Sequence, residues 1–147
     1  MMEEKINRIE IVINSLYKSI SFKKGERPDL QKLKKLFIDE TRLIRTTKDS
    51  HEVMSVEDFV SSFNTRIDAG EFIEFREYEI KKKIEMFGGI AHVFSTYETD
   101  FETPGGRLNT RGINSIQLIE MNNEWKVVTI FWYNEDEENK IQQEYLP

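Results

Sequence analysis

The second half of this chain of 147 residues is a series of period-two segments separated by two-residue turns, and nothing else in it constrains the fold as strongly. From Phe72 onward apolar and polar residues alternate, the pattern of strands with one buried face. Gly88-Gly89, Gly105-Gly106 and Asn122-Asn123 interrupt the alternation, and each pair suits a primed hairpin turn, whose backbone angles glycine and asparagine adopt most readily. The turns imply a long antiparallel meander. Such a sheet has to cover one face with other elements.

Those elements lie upstream. Ile6, Ile9, Ile13, Leu16 and Ile20 recur at three- and four-residue intervals, one face of an amphipathic helix that "KKG" stops at Gly25. After "ERP", Asp29 caps a second, short helix carrying Leu30, Leu33, Leu36 and Phe37. "TRLIRT" reads as a short strand, and "TTKDSHEVMS", with His51, as a loop. A third helix starts at "SVED", where Ser55 caps and Asp58 reaches back, and carries Val56, Phe59, Val60, Phe63 and Ile67 as far as Gly70. The predicted order is helix, helix, strand, helix, then sheet. This is an α+β chain folding as a single domain over residues 1–147, with a loosely held charged tail at 135–147.

Composition narrows the function classes. Acidic residues outnumber basic ones, 27 to 21, for a formal net charge of −6. Nucleic acid and anionic membranes require a basic footprint, so neither is an expected partner. The absence of cysteine excludes disulfides and thiolate chemistry. Two histidines far apart give no transition-metal set, and "NEDEEN" lacks the spacing of a calcium loop. No metal and no cofactor is expected. "MMEEKINRIEIVINSLYKSI" does not read as a secretory signal, no apolar run is long enough to span a bilayer, and a cytoplasmic protein is expected.

Tight turns set a trial register. Glu85 then faces His92 and Lys83 faces Phe94 on a charged outer side, while Met86 meets Ala91, Ile84 meets Val93 and Ile80 meets Tyr97 on the core side. A slip of one residue would reverse every assignment. Under this register the inward polar residues are Lys82 and Thr99, together with Glu74, Arg76, Tyr78, Ser95, Tyr97, Asn114, Thr129 and Tyr133. With Phe63 of the third helix, the set from Arg76 onward is the candidate ligand-binding lining. Glu74 and Tyr97 are the candidates for proton transfer, Glu74 only if it sits in an apolar pocket away from Arg76. His92 is read as a surface partner of Glu85. Phe94, Ile113, Ile119, Val128, Ile130 and Trp132 point outward as an apolar patch, which is covered either by the tail or by a second copy in a homodimer.

"GGIAHVFSTYETDF", a glycine-containing loop, "RGINSIQLI", a short turn and "EWKVVTIFW", preceded by three helices, resemble the nuclear transport factor 2-like superfamily, most nearly its SnoaL-like branch. The resemblance implies three N-terminal helices on a strongly curved antiparallel sheet, a cystatin-like cone with an internal pocket, often dimeric through the convex face. It also implies a choice of activities: isomerase, cyclase, dehydratase, epoxide hydrolase, or binding without chemistry. The Asp, Asp–His and Asp–Arg–Asp sets of its enzymes find no counterpart among the inward positions. Three readings therefore stand: a dimeric pocket protein for a small, partly apolar ligand; a lyase, isomerase or hydrolase using an inward acid or tyrosine; and an interaction module with a filled cone.

Overall fold

The computed structural model describes residues 2–147. Helix α1 spans Met2–Ile20, α2 Leu30–Lys34 and α3 Val56–Asp68; the strands are β1 Phe37–Thr46, β2 His51–Ser55, β3 Glu74–Phe87, β4 Ile90–Thr103, β5 Gly106–Met121 and β6 Glu124–Asn134. The architecture is α+β, built on one six-stranded sheet in the order β2-β1-β6-β5-β4-β3. Two features depart from expectation. "TTKDSHEVMS" is not all loop, because His51–Ser55 pairs with β1 as an edge strand. The sheet is not wholly antiparallel either, since β1 runs parallel to β6.

The local signals behave as their chemistry demands. Asp29 accepts from the Lys32 amide at 3.1 Å and Ser55 from the Asp58 amide at 3.0 Å, so both predicted caps hold a helix start. Asn122 and Asn123 adopt φ of 51° and 65°, the left-handed pair that a primed turn requires. Helix α1 ends at Ile20, before Gly25, because the chain must release Phe22 to bridge Phe75 on β3. Phe37 opens β1 instead of closing α2. The hairpin between β4 and β5 turns at Pro104-Gly105 instead of Gly105-Gly106, Thr103 pairing with Gly106.

One core joins helices and sheet: Ile9, Ile13 and Leu16 of α1, Val60 and Phe63 of α3, and Val93, Ile116 and Val127 of the sheet. Burial of this apolar surface is what holds the helices on the sheet.

Two β-bulges decide which side chains share that core. On β3 the pairing runs as expected from Phe87 to Lys81, then shifts, so that Glu79 meets Tyr97, Tyr78 meets Glu98 and Glu77 meets Thr99. Ile80 is the extra residue, and beyond it the faces exchange. Phe75 and Glu77 turn toward the helices, while Glu74, Arg76 and Tyr78 turn away. On β6 the shift falls between the Leu118–Val127 and Gln117–Thr129 pairs, leaving Val128 extra. Ile130, Trp132 and Asn134 face inward as a result, and Thr129, Phe131 and Tyr133 outward. The expected inward placement of Glu74, Arg76, Tyr78, Thr129 and Tyr133, and the outward placement of Ile130 and Trp132, are therefore corrected. The cause is the same in each case: one unpaired residue reverses strand parity.

The tail beyond β6 folds back on the outer face. Arg111 Nε donates to Glu135 at 2.8 Å, Thr96 Oγ1 donates to the Tyr145 carbonyl at 2.7 Å, and the Tyr145 ring packs edge-on against Phe94. Among the described residues no helix is long and apolar enough to cross a membrane.

Candidate functional site

Between α1, α3 and the inner face of the sheet lies a cavity of about 370 Å³. Its walls are largely aromatic: Phe59 and Phe63 from α3, Phe75 from β3, Phe101 from β4 and Trp132 from β6. Phe63 lies at the centre of this set, 5.3 Å from Phe75 and 6.0 Å from Phe59 between ring centroids. The Phe63–Phe75 pair meets edge to face and the Phe59–Phe63 pair is stacked, two arrangements that fix the wall's shape.

Polar groups enter the wall at a few points. Tyr97, almost wholly buried, reaches across to donate to Asn134 Oδ1. The approach depends on Gly112, which pairs with both Tyr97 and Asn134 and leaves the space a side chain would take. Asn114 Nδ2 donates to the Tyr17 hydroxyl at 3.1 Å, and Tyr17 shares a 2.6 Å hydrogen bond with Ser95 Oγ. Ser95 in turn donates to Glu79 Oε2 at 2.5 Å, and Glu79 pairs with Lys82, itself 2.9 Å from Glu10 of α1. A continuous polar chain thus leads from the cavity wall at Tyr17, through the fully buried Ser95, to charged groups at the surface. Each buried polar atom along it has a partner, as burial requires.

Glu77 is the cavity-lining carboxyl whose acidity is altered. Thr99 Oγ1 donates to its Oε1 at 3.1 Å, and the half-buried residue lines the cavity. Burial pushes its pKa up to about 7, with the Thr99 hydrogen bond pulling the other way. Burial likewise pushes the phenols of Tyr17 and Tyr97 well above their ordinary value, and the Glu77 carboxylate adds to both shifts. A carboxyl balanced between its two forms near neutral pH, beside two phenols that stay protonated, can accept or return a proton.

Of the residues singled out from the sequence, Tyr97, Asn114 and Phe63 line this cavity, and Ser95 lies one hydrogen bond behind its wall. Glu74 is on the opposite face, where Arg107 at 3.0 Å holds its carboxyl below the ordinary range. Arg76 covers the Tyr78 ring at 4.2 Å there, and Tyr78 donates to Glu98 at 2.6 Å. Tyr133 donates to Asp136, and Thr129 pairs outside with Gln117. Sequence reasoning missed Glu77, Asn134 and the inward Trp132. The alternative parity of β3 and β6 contained all three, but no residue in either strand marks where parity changes. His92 bonds Ser115 at 3.0 Å and approaches Glu85 at 3.4 Å on the outer face. No group of three or more potential metal ligands gathers among the described residues.

No protein-family model matches the chain, and no curated protein matches it in sequence. Solved structures do match in shape. An NTF-2 like protein of unknown function from Silicibacter pomeroyi aligns with a TM-score of 0.67 at 13% identity, covering 92% of this chain and 99% of the other. A candidate scytalone dehydratase from Novosphingobium aromaticivorans aligns at 0.73 and 11% identity, over 97% and 94% of the two chains. A cystatin-like fold protein of unknown function from Nostoc punctiforme aligns at 0.64 and 14% identity, over 88% and 90%. The chain has the fold of the NTF-2 like proteins, and likeness at these identities carries the fold alone.

Proposed function

We propose that the chain binds one small, partly apolar molecule in the cavity between α1, α3 and the sheet. The observation that carries this reading is the wall: a space of about 370 Å³ faced by Phe59, Phe63, Phe75, Phe101 and Trp132, with Tyr97, Asn114 and Asn134 supplying hydrogen bonds. Small-molecule sites have this form, an apolar enclosure of roughly 300–1,000 Å³ with few fixed polar groups. An open cavity favours this reading over an interaction module with a filled cone. Ser62 lines the space yet is exposed, so Ser62→Trp plugs the mouth without disturbing the core. Native mass spectrometry should find ligand mass on the wild type and none on the plugged variant; equal ligand on both would remove the cavity as the site.

A second reading, proton transfer to or from the bound molecule, is favoured by Glu77, whose pKa of about 7 suits a base working near neutrality. Glu77→Gln would then stop turnover while leaving affinity in place, and turnover that survives the change would end this reading.

The working form is a homodimer joined through the outer sheet face. Val53, Ile44 and Phe131 lie side by side there, in register across β2, β1 and β6, with Ile113 in the adjoining row. Val53 and Phe131 are 55% and 41% exposed, a large exposure for apolar side chains. Phe94 is the part of the patch that the tail covers.

A further inference from the structure

Two cationic side chains reach the cavity, Arg45 and Arg66, and their surroundings differ. Arg66 is engaged: its guanidinium lies 4.3 Å above the Phe72 ring and its Nε 3.7 Å from Glu71. Arg45 stands opposite Glu52 on β2 and beside Trp132 on β6, yet pairs with no carboxylate among the described residues. Arg45 is itself exposed, and it lines the cavity together with the polar groups Tyr97, Thr110 and Asn134. A guanidinium at the rim of an aromatic wall is stronger than one in open water, because part of the surrounding solvent is replaced by protein of low polarity. It also presents a planar fork of donors, matched to two oxygens of one anion.

We infer that the bound molecule is an aromatic or aliphatic compound carrying one anionic group, with its apolar body against Phe59, Phe63 and Trp132 and its anion on Arg45. This rests on the cavity being a ligand site. Two carboxylates also line the space, Glu77 and Glu52. Both repel an anion, so Arg45 is the point where the charged end settles, and the molecule takes one orientation. The ring of Trp132, next to Arg45 across the β1–β6 pairing, is the surface on which the adjoining apolar carbons lie.

The test uses two fluorescent probes with one shared body, 8-anilinonaphthalene-1-sulfonate and the uncharged N-phenyl-1-naphthylamine, titrated into the wild type, Arg45→Gln and Ser62→Trp. Arg45→Gln should weaken the sulfonate about tenfold, the scale of one charge-assisted contact, and change the neutral probe less than about twofold. Added salt should erode the sulfonate's affinity in the wild type and much less in the variant. Sulfonate affinity unchanged by Arg45→Gln, with both probes excluded by Ser62→Trp, would overturn the anionic-ligand inference and leave the pocket standing. Probes that fail to bind the wild type, or that bind Ser62→Trp as well as the wild type, would overturn the pocket reading and this inference with it.

Discussion

The Tyr97 hydroxyl stands 2.5 Å from the point that a Cβ on Gly112 would occupy, so the glycine on β5 is what admits the phenol on β4. The backbone of Asn134 crowds the same point at 2.9 Å, and together these contacts leave no room for a methyl group. The hydrogen bond from Tyr97 to Asn134, and with it one polar corner of the cavity, exists because residue 112 has no side chain.

Gly112→Ala should therefore cost about 1–3 kcal/mol, the range for overpacking, and lower Tm by about 2–4 °C for each kcal/mol. Tyr97→Phe removes one of the opposing atoms, so the double variant should lose less than the two single losses added together. Thermal denaturation of all three decides it; strict additivity would mean that the two positions do not touch.

The raised pKa of Glu77 has a signature in stability. Its carboxyl titrates near 4.5 in an unfolded chain and at about 7 in the fold. Below the first value both states are protonated and Glu77 is neutral in effect. As pH rises from 4.5 to about 7 the unfolded chain gains a charge that the folded one resists, so stability falls, and above that range the loss is constant at about 3 kcal/mol at most. Glu77→Gln keeps the acceptor for Thr99 and removes the titration. Urea denaturation should find the variant more stable than the wild type at pH 8 and level with it at pH 4. A difference independent of pH would show that Glu77 ionises normally.

Phe131→Glu places a charge in the exposed belt with Val53 and Ile44, and should convert dimers to monomers in sedimentation while the cavity still takes ligand. Trp132→Glu, one residue on, should do the reverse: lose the ligand and keep the assembly. If Phe131→Glu sediments as the wild type does, the belt is not the interface.

The amino-acid pattern conveyed elements far better than faces. Ser55, Asp29 and the Asn122-Asn123 pair each mark a boundary through one local hydrogen bond or one pair of backbone angles, and such signals survive any tertiary arrangement. The bulges leave no such mark. In "EFREYEIKKKIEMF" charged and aromatic residues fall on both faces, so either parity through Ile80 satisfies the alternation. In "VVTIFWY" both faces are apolar, and Val128 can be paired or left out without altering the pattern. Trp132 reads as outward for that reason. The parallel contact of β1 with β6 is equally silent, because it joins segments more than eighty residues apart through register alone.

The bulge at Ile80 makes strand register a chemical variable. Pairing Ile80 into the ladder opposite Tyr97 would leave the Gly88-Gly89 turn and the pairs from Phe87 to Lys81 where they are, and would rotate everything before them by half a turn. Tyr78, Arg76 and Glu74 would then look into the cavity, and Glu77 would meet water. One residue drawn into the ladder would thus exchange an acid held near neutrality for a phenol and a cation, rewriting the interior of the site while every hairpin around it kept its turn.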